Sequence, residues 1–596
     1  MAHRPELAAH QTIADLVLHL DRTFGERERF FTVHRGDTLE ELSCRELIRR
    51  AHALAVVLDV GGIQKGDRVA IFAENRPEWH LVDFACQLLG TVSVPIFPNL
   101  PSDQVGKIVA DSGARWVVYS DAPKRDLLQD LERWLADPPG LVAMDEEARP
   151  RNGHLLTELI ERGDGLRDAV TLEDLRARVT PDDLSSLLYT SGTTGQPKGV
   201  MLTHRNLTTN YRAACEVYPG NGGADEQCVC FLPLSHVFAR TTSHCFLALG
   251  IAMHYVQSVD ELPRALLEIR PTVTASVPLV FEKAFQRIQQ TMEEQSDGKK
   301  KLFQWAVDSG HRELEQRVRG RRPGLLAGAK KAIADTLVYR KIQERFGGRL
   351  QLVVAGGAPM PTQVETFFQA VGVEIYQGYG LTETAPLLTI NYPGRYRPGS
   401  AGVAGPGVEL RIADDGEILA RSPGVMRGYW KQPTATADVI DAQRWFHTGD
   451  LGHLDEDGFL FITGRKKDLL VTAAGENIAP VPIEHLLIAA PLIAQAMVVG
   501  DQRPHLAALL VPEWSQLSST GERADAVDDP DVRAQVAEIV ESVNRLLPEH
   551  ERIRAWSLLA DVFTVEGGEL TPTLKVRRPV VAQRYAAEIE ALYREA

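Results

Sequence analysis

YTSGTTGQPKGV, residues 189–200, gathers five hydroxyl side chains (Tyr189, Thr190, Ser191, Thr193 and Thr194), three glycines and Lys198. Glycines let a backbone approach an anion closely, and successive N–H groups in a turn form a concave nest for one. The hydroxyls add donors, Lys198 adds a positive charge and Pro197 stiffens the loop. The preceding LSSLLY (184–189) reads as a buried strand. An isolated Gly/Ser/Thr cluster is more often a surface turn, but a strand leading into this combination reads as a phosphate-binding loop. It is not the Gly-x-x-x-x-Gly-Lys-Ser/Thr loop of nucleotide hydrolases. Counting on from Gly192 puts Pro197 where the second glycine belongs, and Gly199 follows Lys198 where a hydroxyl residue belongs.

The chain around this loop has 596 residues, too many for one hydrophobic core, so two or more domains are expected. Its 44% hydrophobic and 24% charged content is that of a soluble globular protein. A net charge of -15 disfavours nucleic acid as a partner. The N-terminal stretch MAHRPELAAHQTIADLVLHLDRTF is broken by charges and does not read as a signal peptide, and no apolar run is long enough to span a bilayer. The six cysteines, Cys228 and Cys230 in one apolar run among them, read as buried reduced thiols, and a cytoplasmic location is expected.

Through the first 460 or so residues, short apolar runs alternate with helical patterns. RVAIFA (68–73), RWVVYS (115–120), TVTASVP (272–278) and LQLVVAGGA (350–358) read as buried strands, whereas Phe281, Phe285, Ile288 and Met292 fall on one helical face. This alternation predicts an α/β architecture with largely parallel sheets. After about residue 405 the pattern turns antiparallel. VELRIADDGEILARS (408–422) and HLDEDGFLFITGR (453–465) each read as two strands around a tight turn. A compact tail follows GRKKD (464–468), with a further strand pair in AQAMVVGDQRPHLAALLVP (494–512). A domain boundary is therefore expected at Lys467, giving a large domain over 1–466 and a small one over 467–596.

Four more motifs stand in order behind the loop: YGLTET (379–384), HTGD (447–450), GRKKDLLVTAAGENIAP (464–480) and LTPTLKVRR (570–578). Together the five resemble those of the adenylate-forming (AMP-binding) superfamily, over nearly the whole chain, and in particular the long-chain fatty acyl-CoA synthetases. The resemblance implies a large domain of two α/β layered subdomains plus a distorted β-barrel, and a small mobile C-terminal α+β domain. It implies a two-step reaction. A carboxylate attacks the α-phosphate of ATP to give acyl-AMP and pyrophosphate, and coenzyme A then displaces AMP.

Each motif gains an expected role from that resemblance. Ser191, Gly192, Thr193, Thr194 and Lys198 hold the departing phosphates, and Thr190 and Glu383 hold a magnesium ion, which suits phosphate oxygens and needs few protein ligands. Gly356, Gly357 and Ala358 form a shelf for adenine, with Tyr379 against the ring; Gln377, Gly378, Gly380, Leu381 and Thr382 complete the nucleotide segment. Asp450 clamps the ribose, since one carboxylate can accept from two adjacent hydroxyls. Arg465 supports the ribose or the α-phosphate, and Lys467 is the hinge about which the small domain swings. Lys575 is the mobile cation that bridges the carboxylate and the α-phosphate. It is preceded by Leu574, where the commoner family form has glycine.

LPLSHVFAR (232–240) places His236 beside the reacting carboxylate, by the same resemblance. The helical insertion between Phe281 and Arg349, read with FEKAF (281–285), resembles the long-chain branch and implies a long-chain fatty acid. Its basic segment 299–331 (Lys299–Lys301, Arg317, Arg319, Arg321, Arg322, Lys330 and Lys331) is interleaved with Leu, Phe and Trp305. It reads equally as a solvated helix face or as a contact for an anionic membrane surface. The rival reading is a fatty acyl-AMP ligase that delivers the acyl group to a separate carrier protein. No feature of the sequence specifies an oligomeric state.

Overall fold

The structure is a computed structural model. It describes residues 4–594 apart from 37, 130, 132–134, 136–138, 191–196, 322–323, 518–522, 524–526, 565–566 and 572–574, and apart from the side chains of 5, 325, 326 and 515. Ser191, Gly192, Thr193 and Thr194 of the expected phosphate loop, and Arg322 of the basic segment, therefore lie outside the described residues.

Two large sheets organise the first part of the chain. One has eight described strands in the spatial order Gly428–Tyr429, Lys198–Thr203, Leu184–Thr190, Val92–Ile96, Arg68–Phe72, Trp116–Tyr119, Gly140–Ala143 and His154–Leu155. The Val-, Ile- and Ala-rich strands at its centre run parallel and are buried on both faces, as covered parallel strands must be. At one edge Leu184–Thr190 turns back antiparallel into Lys198–Thr203, with Thr190 opposite Lys198. The two described strands on either side of residues 191–196 are thus fixed to each other by a ladder.

The second sheet has nine described strands. Five parallel ones (Leu352–Ala355, Val273–Ser276, Gln227–Cys230, Ala252–Tyr255 and Phe31–Arg35) continue through Glu374–Gly380 into antiparallel Leu387–Ile390 and Val403–Ala404 on one side. An isolated bridge from Val403 to Phe459 joins this edge to a four-stranded antiparallel sheet, Glu409–Ile412, Glu417–Arg421, Phe446–Leu454 and Leu460–Arg465. Both hairpins read from the sequence are present here, and this antiparallel assembly stands where the distorted barrel is expected.

Between the two large sheets lie helices that are apolar nearly all round, the mark of a core helix. In Pro77–Leu89 every residue but Glu78 is buried. Its Asp83 meets Arg240 of the helix Val237–Ala248, both fully buried, through a bidentate contact of 2.6 and 3.0 Å. The same guanidinium donates to Ser93 and Ser186, on strands of the eight-stranded sheet. One arginine therefore ties the helix that follows His236 to the strand that leads into the phosphate loop.

The insertion folds as Asp297–Val318 and Leu325–Ala334, packed on each other and continuing through Asp335–Tyr339 into Arg340–Glu344. Phe281, Phe346, Phe367 and Phe368 form its aromatic floor. After residue 466 the strands Ile493–Val499, Leu506–Pro512 and Ile553–Leu558 form a three-stranded sheet with Pro480–Ile488 and Pro530–Asn544. The two apolar cores there draw all their described members from residues beyond 469. No helix of the described residues is long and apolar enough to cross a membrane. All six cysteines are buried and unbridged.

Candidate active site

The nucleotide-side residues meet at the ends of parallel strands. Leu352–Ala355 ends at Gly356 and Gly357, and the neighbouring Glu374–Gly380 ends at Gln377–Gly380. Gly357 has φ +88°, a conformation that side chains resist. Gly356 lies so close to the ring of Phe238 and the carbonyl of Gly378 that an added methyl would sit 3.3 and 3.5 Å from them. Ala358 is exposed. Gly380 admits no side chain at all, since a Cβ there would lie 1.5 Å from the Pro386 carbonyl oxygen across the hairpin. Leu381 and Thr382 enter a short turn closed by Thr384, whose hydroxyl accepts from the Leu381 N–H at 3.0 Å. The Gln377 amide is engaged within the protein: it accepts from Met360 N–H at 3.1 Å and donates to Glu365 at 2.9 Å.

Asp450, expected to clamp the ribose, is a node of side-chain contacts. The Tyr379 hydroxyl donates to its Oδ2 at 2.7 Å, and Arg465 Nε stands 3.2 Å from its Oδ1. Arg465 faces Asp450 because the strands Phe446–Leu454 and Leu460–Arg465 pair in that register. Burial pushes the Asp450 carboxyl up, and Arg465, Tyr379 and Lys575 pull it back. Glu417, on the adjacent strand, accepts from the Gly449 N–H at 2.9 Å and from Lys466 Nζ at 3.3 Å. Lys466 also reaches Asp415 at 2.5 Å, so the residue before Lys467 is tethered, while Lys467 itself is exposed in a turn.

Lys575 is brought in from the far end of the chain. Its backbone is pinned to Thr571 by two hydrogen bonds of 2.8 and 3.0 Å, and Arg578 ties the following helix to the Val498 carbonyl and Glu484. The side chain is exposed, with protein atoms crowded around its charged end. That crowding and Arg465 lower its pKa, while Asp450 and Asp468 raise it. His236 stands at the N-cap of Val237–Ala248. Its Nδ1 accepts from the Phe238 N–H at 3.1 Å, which leaves the ring proton of the neutral form on Nε2. Burial, with Lys575 adding repulsion, brings His236 down to about 4, so it is neutral at pH 7. Lys575 thus lies within electrostatic reach of both Asp450 and His236, although the three come from distant parts of the sequence.

The phosphate side is completed by a residue that none of the motifs contains. Tyr429 stands beside Val200 in the sheet; its hydroxyl donates to Glu383 Oε1 at 2.8 Å, and Lys198 Nζ lies 5.0 Å from its ring centre. Trp430 N–H donates to the Gly199 carbonyl at 2.7 Å, and Tyr189 is tied to Asp111 at 2.6 Å. Among the described residues no group of three or more His, Cys, Asp or Glu side chains could cage a metal. Glu383, tied to Tyr429, is a carboxylate that fits an ion held mainly by substrate phosphates, which is how magnesium is commonly bound.

The comparisons with known proteins agree with this geometry. The sequence model for AMP-binding enzymes matches residues 21–430, and that for the AMP-binding enzyme C-terminal domain matches 467–596. The chain belongs to the AMP-binding enzyme family. It is 39% identical to the long-chain-fatty-acid–CoA ligase FadD15 of Mycobacterium bovis, over 93% of this chain and 92% of that protein. It is 31% identical to human long-chain-fatty-acid–CoA ligase 1, over 89% of this chain and 80% of the relative. Among solved structures it resembles the adenylation domain of a carboxylate reductase from Mycobacterium chelonae, with a TM-score of 0.78 and 25% identity over 99% of this chain and 93% of that one.

Sequence reasoning missed Tyr429, Glu417, Lys466 as a tether, and the Asp83–Arg240 pair. A Gly-Tyr-Trp run after a hairpin (428–430) and a Glu following an Asp-Gly turn (415–417) were the available signals, and neither says what its side chain faces.

Proposed function

We propose that this protein is a long-chain fatty acid–CoA ligase, working through an acyl-adenylate. The observation that supports the reading is that Lys575 lies within electrostatic reach of both Asp450 and His236. In the first half-reaction a fatty-acid carboxylate oxygen attacks the α-phosphorus, and the bond to pyrophosphate breaks. Lys575 bridges the attacking carboxylate and the α-phosphate as charge redistributes between them. Asp450 holds the ribose hydroxyls, with Tyr379 and Arg465 fixing its two oxygens. Gly356, Gly357 and Ala358 give adenine a flat edge, with Gly378, Gly380, Leu381 and Thr382 closing the nucleotide segment. Neutral His236 offers Nε2–H to the acyl carboxylate. Lys198 and the loop before it retain the β- and γ-phosphates until they leave. Magnesium, when bound by Glu383 and Thr190, supplies charge neutralisation at the phosphates. In the second half-reaction the coenzyme A sulfur attacks the acyl carbonyl carbon, the thiol gives up its proton and AMP departs. The small domain, residues 467–596, turns about Lys467 between the two steps, and the Lys466 tether keeps the pivot on the large domain.

The test supplies ATP, magnesium and a ladder of fatty acids, with and without coenzyme A, and follows pyrophosphate and thioester separately. Long-chain acids should give both products. Pyrophosphate without thioester would move the protein to the rival, a ligase that loads a carrier protein.

We place the enzyme in the cytoplasm, with the insertion resting on the membrane that stores its substrate. Exposed Ile333 and Leu337 lie one helical turn apart beside exposed Lys330, and Lys300, Lys301, Arg319 and Arg321 are exposed nearby in the chain. Sedimentation with anionic vesicles should capture the protein at low salt and release it at high salt; salt-independent absence of binding would remove this element.

A further inference from the structure

Glu383 is the one carboxylate offered to a metal on the phosphate side, and a lone flexible carboxylate is a poor ligand unless something fixes it. Ligating carboxylates are themselves hydrogen-bonded, and loss of such outer partners weakens metal affinity by about 10–100-fold. Tyr429 supplies that partner. Its phenol donates to Oε1 at 2.8 Å, and among the described residues Oε2 is the oxygen left to meet a cation. The Glu383 backbone is held independently, because its carbonyl accepts from the Met426 N–H at 2.8 Å. The phenol therefore acts on the orientation of the carboxylate and not on the path of its chain.

The same ring meets the opposite charge. Lys198 Nζ lies 5.0 Å from the ring centre, within the range of a cation–π contact. Tyr429 can do both because its strand is laddered to the one that leaves the phosphate loop: Tyr429 pairs with Val200, Gly428 with Met201, and Trp430 N–H closes on Gly199. It is 8% exposed, so its own position is set by packing. The two residues after it are anchored as well, the Trp430 indole N–H and Lys431 Nζ both donating to the Asp111 carbonyl at 3.0 and 2.6 Å.

We infer that Tyr429 is a positioning residue for the metal–phosphate site, its hydroxyl aiming Glu383 at the cation and its ring holding Lys198 toward the departing phosphates. This rests on the proposed roles of Glu383 and Lys198.

The experiment measures ATP binding by calorimetry without fatty acid, so no turnover occurs, across a magnesium titration and also with magnesium chelated. Wild type, Tyr429→Phe, Tyr429→Leu and Glu383→Gln are compared, with thermal midpoints recorded for each. Tyr429→Phe keeps the ring and loses the hydroxyl. It should raise the half-saturating magnesium concentration about 10-fold and leave magnesium-free ATP affinity unchanged. Tyr429→Leu should show the same magnesium shift and, in addition, weaker magnesium-free binding, because Lys198 loses its ring. A merely structural role would lower the thermal midpoint and the active fraction without moving the magnesium curve of the folded protein, and that result overturns the inference. A shift in Glu383→Gln with none in Tyr429→Phe overturns it while leaving Glu383 as a ligand. A wild type whose ATP binding ignores magnesium overturns both.

Discussion

Lys575 works against its surroundings. A cation crowded by protein atoms beside Arg465 loses hydration, and only Asp450 and Asp468 favour its charge. When a fatty acid and ATP enter, two anions replace that missing hydration at the point where charge moves. The cost of holding the cation is then offset in the adenylation step alone. Lys575→Ala should therefore cut fatty-acid-dependent pyrophosphate release by about 10²–10³-fold, the scale of losing one preorganised donor. Thioester formation from preformed acyl-AMP should keep its rate if, as proposed, the small domain turns its lysine away before that step. Single-turnover assays of the two half-reactions check this; equal losses in both would mean that the lysine is structural. Lys575 was legible in the sequence as a lysine in a known context. That it faces His236 was not, since a contact between chain ends leaves no local pattern.

At the scale of elements, the Asp83–Arg240 pair joins two buried helices to the eight-stranded sheet. Burying two charges without water is costly, and the pair is tolerated because every guanidinium nitrogen is met: it has Asp83, Ser93 and Ser186, and Asp83 also accepts from Gln87 at 3.0 Å. Arg240 holds the carboxylate well below its ordinary range. Asp83→Asn keeps the shape but strands the arginine. It should lower the unfolding free energy by about 3–5 kcal/mol, a large share of the roughly 5–15 kcal/mol of a typical fold. Urea unfolding checks this, and Asp83→Leu with Arg240→Met together should recover part of the loss. The strands at this scale were well read from apolar runs and turn residues. The helix Pro77–Leu89 gave no periodic signal, because a helix buried all round has no polar face to mark.

The whole molecule carries a population of buried neutral histidines, and these set its response to acid. Burial brings His10, His236 and His254 down to about 4, and His80 and His204 to about 3. Their ordinary value is 6.5, so between that pH and the folded values the unfolded chain binds more protons. Stability from these groups is complete above pH 6.5 and is lost progressively as pH falls toward 4. Calorimetry from pH 7.5 to 4.5 should show the thermal midpoint of the large domain falling only below about 6.5. A midpoint independent of pH across that window would mean that these histidines are solvated.

What the sequence offered alone is motifs carried in short windows: the hydroxyl-rich stretch 189–200, the glycine strand end, the carboxylate and arginine motifs and the terminal lysine. Each can be recognised in place because it lies within a few residues, and its expected role comes from its resemblance to the family. The alternation of apolar runs likewise determined the α/β class, since burial on two faces or one is a local property of a strand or helix. The tertiary structure alone decided the assembly. Tyr429 and Glu383 meet across 46 positions and Tyr379 and Asp450 across 71, and Arg240 reaches from its own helix to three other elements at once. Those contacts depend on sheet register and helix packing, which are set by the summed burial of the whole chain and so have no signature in any one stretch of it.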